Sequence, residues 1–387
     1  MQATNGILPS QWIRQAIDQG VITSETPVRP EQIQPNSMDL RIGGMGHRIQ
    51  CSFLPGTEGV QGKLNRYGWY QYTVPPDGFV LERNQVYLAP LQESLSLPAE
   101  VSARANPKSS TGRLDLFCRL VTQHGTTFDE APAGYEGPLY LEVVPRSFAV
   151  RIYPGDCLAQ VRFQVGEPAL THLETVELLD REDILLGSDN AVLRSSDVSV
   201  PSGIVLSVNL PRKNEPTVGY HARKNTRPID FRGAGPIRQH WNNIYGGSRP
   251  IILEPDEFYI FASRELVRLP PDYCAEMVAF HAGIGELRTH YAGFFDSGFG
   301  YAPGRDARDT AAAVVLEVRS RDVPFLVEDG QPLFQIHLLR NTAIPDMLYG
   351  AELGSHYQSQ RLRLSKHFSS PQDSAQDTPG GQESLAF

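Results

Sequence analysis

The chain has 387 residues, enough for two ordinary domains, and its hydrophobic content of 40% supports real cores. A net charge of -9 excludes a general nucleic-acid surface, which would be basic, but leaves room for a small anion held by a local basic cluster. No apolar run approaches the roughly 18 residues of a membrane span, so no membrane association is expected.

The N-terminal stretch MQATNGILPSQWIRQ lacks the basic-then-apolar layout of a signal peptide. The first predicted element is a helix in PSQWIRQAIDQG. Pro9 sits near its first turn, Trp12, Ile13, Ala16 and Ile17 share a face, and Gly20 stops it. Next comes NPKSSTGRLDLF, Asn106 to Phe117, with two serines between a lysine and an arginine. Taken alone, Ser-Ser-Thr-Gly is ordinary loop chemistry. Hydroxyls beside cations also suit a phosphate, since a guanidinium bridges two phosphate oxygens and an ammonium adds a point charge. FAVRIYPG and, much later, FYIFAS alternate apolar and polar residues at the period of half-buried strands. His172, Leu173 and Glu174 read as a strand end, and the polar stretch from Arg181 to Ser202 as a linker. Gly283, Ile284 and Gly285 lack the βαβ surroundings of a dinucleotide site. Residues 368–387 are rich in Ser, Gln, Asp, Pro and Gly and read as a disordered tail. The cysteines, Cys51, Cys118, Cys157 and Cys274, form no CxxC pair, which suits a reduced, cytoplasmic protein.

The chain repeats itself. YLAPLQESLSLPAEVSA (Tyr87 to Ala103) aligns without gaps on YIFASRELVRLPPDYCA (Tyr259 to Ala275). LYLEVVPRSFAVRIYPGDCLAQVRF (Leu139 to Phe163) aligns on VVLEVRSRDVPFLVEDGQPLFQIHL (Val314 to Leu338), matching Gly155 with Gly330 and Gln160 with Gln335. Two blocks in one order at nearly one offset imply two copies of a domain. We place copy one at 1–185 and copy two at 200–367. Short runs punctuated by 30 prolines and 34 glycines predict a mainly β fold, as in sandwiches and barrels, with a few short helices.

These residues resemble the dCTP deaminase and dUTPase superfamily of β-barrel nucleotide enzymes. ILPSQWIRQAIDQGVI followed by QPNSMDLRIG is similar to the deaminase N-terminus, a helix and then a strand carrying Asp39 and Arg41. SSTGR resembles the family's phosphate motif, with Lys108 where an arginine is usual. LYLEV and VVLEV both resemble the strand of the catalytic glutamate, and YGAELGSHYQSQ the C-terminal arm that closes over the nucleotide. The resemblance implies tandem dUTPase-like barrels, of β-clip or jelly-roll type, in a homo-oligomer.

The two copies are unequal. Copy one has the phosphate motif, but its loop TTFDEAPAGYEG is long, so Asp129 meets the family's base-pocket position only with an insertion. Copy two has lost the serine pair in FHAGIGELR, yet FFDSGFGY places Asp296 well. The resemblance implies a composite site, with triphosphate on copy one and cytosine, deoxyribose and arm on copy two. It marks Lys108, Ser109, Ser110, Arg113, Asp129, Tyr140, Asp296, Val315, Tyr349, His356 and Gln360 as substrate contacts, His356 standing where lysine is usual.

The chemistry expected is hydrolytic deamination of dCTP to dUTP and ammonia. One carboxylate serves as general base and then acid, at its best when an apolar wall raises its pKa. Glu317, flanked by Val315, Leu316 and Val318, is the first choice and Glu142 the second. Mg²⁺ is expected on the triphosphate and no zinc, because H-x-E at His172 has no downstream P-C-x-x-C. Expected ligands are dCTP and dUTP, with dTTP inhibition left open. The alternatives are a dUTPase or bifunctional enzyme, and a non-catalytic nucleotide-binding regulator.

Overall fold

The computed structural model describes residues 5–210, 217–247, 250–279, 287–289, 293–320, 322–350 and 353–369. The tail beyond residue 369, the Gly283–Gly285 triplet and most of FHAGIGELR lie outside the described residues. The fold is mainly β with a few helices. No helix among the described residues is long and apolar enough to cross a membrane.

Two pairs of sheets repeat one strand order. In the first pair, one sheet runs Gly6–Ile7, Cys157–Val165, Val101–Pro107, Glu130–Ala131, with Met38–Arg41 also on Cys157–Val165. Its companion runs Gly68–Thr73, Met45–Ile49, Val86–Ser96, Glu136–Pro145, Leu116–Thr122. The second pair runs Ile204–Ser207, Pro332–Arg340, Tyr273–Ala279, Phe294–Phe295, and Trp241–Ile244, Gly219–Ala222, Phe258–Val267, Ala312–Ser320, Leu287–Thr289. The two central strands of the larger sheets, antiparallel in both, are the segments that align in sequence.

The halves are fused rather than strung together. One hydrophobic core unites Leu141 and Val143 of the first half with Trp241, Phe258, Ile260 and Val315 of the second. Ile229–Asp230 adds a parallel strand to Val150–Ile152 of the first half. Inward-facing apolar residues at period two drive this packing.

Local signals explain most elements. The N-terminal helix spans Ser10–Asp18 behind Pro9, burying Ile13 and Ala16. Three readings need correction. FYIFAS is buried on both faces, because Phe258–Val267 lies inside a six-stranded sheet. His172 starts a helix, His172–Arg181, and Thr171 with Glu174 forms its capping box. The stretch after Arg181 is not a plain linker: Ile184, Leu185 and Leu186 are fully buried, and Leu185–Leu186 pairs with Phe258–Val267.

Candidate active site

A cavity of about 320 Å³ lies between the halves. Ser109–Gly112 forms one helical turn behind Lys108, so Lys108, Ser109, Ser110 and Arg113 face the cavity from the first half. Asp296, Val315, Glu317, Tyr349, His356 and Gln360 face it from the second half and the arm. The structure thus brings together ten of the expected side chains.

Glu317 is 4% exposed, on the strand Ala312–Ser320. Its carboxyl packs against the Gly112 Cα, where an added methyl would meet Oε2 at 2.5 Å. Burial holds this carboxyl well above the usual carboxylate range; the nearby Arg113 opposes the shift and Asp115 adds to it. A carboxyl held in this way keeps its proton more readily than an exposed one, which suits a group that must both accept and donate a proton.

Arg113, 2% exposed, is gripped by the arm. Its guanidinium donates to the Arg363 carbonyl at 3.0 Å and to Gln360 Oε1 at 3.1 Å, and lies 3.9 Å over the Tyr357 ring. Gln360 is itself fixed to Ala313, through Nε2 at 3.0 Å and through its carbonyl at 2.8 Å. Ser365 donates to the Ser110 carbonyl at 2.8 Å. The arm therefore already covers the motif turn. Tyr349, whose backbone N–H donates to Ser297 O at 2.8 Å, receives the Tyr357 N–H at 3.2 Å.

Lys108 pairs with buried Asp39, whose Oδ1 has no partner among the described residues. Lys366 brings a further cation, its pKa lowered by burial and by Lys108. His356 is lowered too, by burial and then by Lys366, Arg363 and Lys108. Basic side chains gathered in one cavity, with Lys366 and His356 held back from protonation by burial and by their basic neighbours, are a receptive surface for a polyanion.

Asp296 is held from across the halves. Arg162 donates to its Oδ1 at 2.8 Å and Ser37 to its Oδ2 at 3.1 Å. Asn36 Oδ1 accepts the Ser297 N–H at 2.8 Å. Sequence reading missed Arg162, Asn36, Ser37 and Lys366. For Arg162 the signal was a cation inside the apolar run LAQVRF; for Lys366 it was the basic RLRLSKH that follows the arm.

Three expected residues lie elsewhere. Glu142, 1% exposed, is paired with Arg119 at 2.7 Å. Asp129 accepts the Leu120 N–H at 2.8 Å, and Tyr140 donates to Gln123 at 3.1 Å. The Arg119 guanidinium lies 3.7 Å over Phe128 and fills the space beside Glu142.

Comparison with known proteins agrees with this architecture. Two family models match, the N-terminal domain of 2'-deoxycytidine 5'-triphosphate deaminase over residues 4–167 and its C-terminal domain over residues 177–368. The crystal structure of 2'-deoxycytidine 5'-triphosphate deaminase from Agrobacterium tumefaciens is similar at a TM-score of 0.82 and 41% identity, covering 91% of this chain and 100% of that one. The dUMP-forming dCTP deaminase of Thermobifida fusca is 30% identical over 170 residues, 42% of this chain and 80% of the relative. That of Methanosphaera stadtmanae is 29% identical over 160 residues, 41% of this chain and 78% of the relative. The likenesses define a deoxynucleotide deaminase fold. The chain belongs to the dCTP deaminase family, in a long form with two family domains.

Proposed function

We propose that this protein hydrolyses dCTP to dUTP and ammonia in a site shared by its two halves, each half a dUTPase-like barrel. The observation that carries the reading is the contact of the Glu317 carboxyl with Gly112, inside the Ser-Ser-Thr-Gly-Arg turn. A phosphate-type motif and a proton-exchanging carboxyl then serve one nucleotide.

Glu317 takes a proton from the water that attacks cytosine C4 and delivers it to N3. The same carboxyl then moves the proton of the new C4 hydroxyl onto the amine as C4=O forms and the C4–N bond breaks, so one water is consumed and one ammonia leaves. Buried Val315, two residues before it on the same face of the strand, helps keep the carboxyl's proton affinity high. Ser109, Ser110 and Arg113 hold the triphosphate, with Lys108, Lys366 and His356 around it. Asp296 and Tyr349 line the base and deoxyribose end. Mg²⁺ comes with the triphosphate as part of the substrate and keeps several of its waters. Zinc is not used. This is supported by the engagement of the two buried aspartates of the cavity, Asp39 with Lys108 and Asp296 with Arg162. The reading takes the enzyme to be a cytoplasmic homo-oligomer.

A second reading, deamination followed by diphosphate release to dUMP, is favoured by the dUMP-forming names of the relatives. Product analysis with dCTP and with dUTP, each with Mg²⁺, separates the two. Ammonia and dUTP from dCTP, with dUTP inert, are expected. Ammonia with dUMP and diphosphate would establish the second reading, and no turnover of either nucleotide would overturn both.

A further inference from the structure

Two residues beyond Arg113, Asp115 adopts a left-handed backbone, φ 54, although it is not glycine. Its side chain is fully buried. The carboxylate accepts from Ser147 Oγ at 2.6 Å and pairs with Arg319 of the other half. Arg319 also donates to the Asp256 carbonyl and, at 3.2 Å, to Ser147 Oγ. Arg319 lies two residues past Glu317 on one strand, so both side chains leave the same face. The pair therefore joins the end of the motif turn to the strand of Glu317, one residue pair away from the Gly112 contact. At the matched place in the first half's LEV strand stands Val144, so the link is specific to this composite site.

We propose that Asp115 and Arg319 are positioning residues that lock Glu317 onto the motif turn and balance the charge around its carboxyl. The inference rests on Glu317 as proton shuttle. The charged groups that act on Glu317 are Arg113 and Asp115 from the turn; Gln360, from the arm, is neutral, and Arg319 acts on Glu317 through Asp115. Asp115 opposes ionisation of Glu317, and Arg113 favours it. Arg319 neutralises Asp115 through a buried pair. The left-handed backbone at Asp115 is the local strain that the link sustains.

The test is the pH dependence of kcat/KM for dCTP in D115N, R319Q and D115N/R319Q, with folding followed by circular dichroism. Asn tolerates the left-handed backbone, and the double variant leaves no unpaired buried charge, so it folds if either single one fails. Losing the Asp115 charge moves the acidic limb down, and losing Arg319 moves it up, each on the order of one pH unit. The double variant returns it toward the parent. In D115N kcat falls while KM stays within about threefold, because the phosphate contacts of the turn remain. Limbs that stay in place, or that move in one direction in both single variants, overturn the proposal. Glu317→Gln runs beside them. If it turns over dCTP normally, the proton-shuttle reading fails; if it is inactive while D115N matches the parent, the positioning role alone fails.

Discussion

Gly112 and Glu317 touch across the two halves of the chain, with room between them for nothing larger than hydrogen. The first is in the motif turn Ser109–Gly112, the second on the strand Ala312–Ser320. A methyl at Gly112 would stand 2.5 Å from Oε2, the end of a flexible side chain. Gly112→Ala therefore swings the Glu317 carboxyl away and leaves the fold intact. We expect kcat to fall by roughly 10² or more, the scale of lost acid–base catalysis. The melting temperature should move by only a few degrees. Unchanged turnover in a folded variant would separate Glu317 from the chemistry.

Lys366 is the cation that arm closure places beside Lys108 and His356. Lys108 is already neutralised by Asp39, and the Arg113 guanidinium is partly occupied by arm acceptors. Lys366→Gln should raise the Kd for dCTP about tenfold, equivalent to about 1.4 kcal/mol. The effect should shrink in high salt. Deoxycytidine, which has no phosphate, should bind the variant and the parent alike. Equal losses for both ligands, measured by calorimetry, would rule out a phosphate contact.

The repeat was legible because aligned strands keep their apolar pattern, and Glu142 and Glu317 keep their place in it. So was the helix behind Pro9, whose face and stop are local signals. What could not be read depends on distance along the chain. Arg119 neutralises Glu142 from the adjacent strand, and nothing in LYLEV shows that partner. Arg162 reaches Asp296 over 134 positions, and Arg319 reaches Asp115 over 204. The helix His172–Arg181 was legible and missed: Thr171 and Glu174 carry a capping-box spacing.

Asp129 offers a pH test away from the cavity. Burial raises its carboxyl from 3.8 to about 7. Between those values the folded chain holds a proton that the unfolded chain has released. Stability is therefore lost as pH rises from about 4 to about 7, and the loss is complete above that. Asp129→Asn removes the titration, still accepts the Leu120 N–H and tolerates a φ of 64. At pH 8 the variant should be more stable by about 2–4 kcal/mol, and below pH 4 no different. Denaturant unfolding at both pH values measures this. Turnover of dCTP should be unchanged, because Asp129 lies outside the cavity.

Glu317 and Glu142 occupy matched places in two matched strands, and their surroundings predict opposite mutational signatures. Glu317 has its proton affinity raised by burial and then by Asp115, against the pull of Arg113. Above the unfolded value the unfolded chain ionises first, so this carboxyl lowers stability as pH climbs toward its folded pKa. Glu317→Gln removes that penalty, about 1.4 kcal/mol for each pH unit over which only the unfolded chain is ionised. The variant should be more stable than the parent at pH 8 and converge with it near pH 4. Its turnover should fall by roughly 10² or more while dCTP binding survives. Glu142 instead accepts from Arg119 at 2.7 Å, and Arg119 is anchored to Ser52 and stacked on Phe128. Glu142→Gln leaves that guanidinium without its counter-charge. Because the Arg119 side chain keeps 25% of its exposure, the cost should be about 1–3 kcal/mol, below that of a fully buried pair. Turnover should stay within about threefold of the parent. The two variants, compared by unfolding at pH 4 and pH 8 and by ammonia release, form a two-by-two test. Loss of turnover in Glu142→Gln with none in Glu317→Gln would move the chemistry to the first half and overturn the composite site.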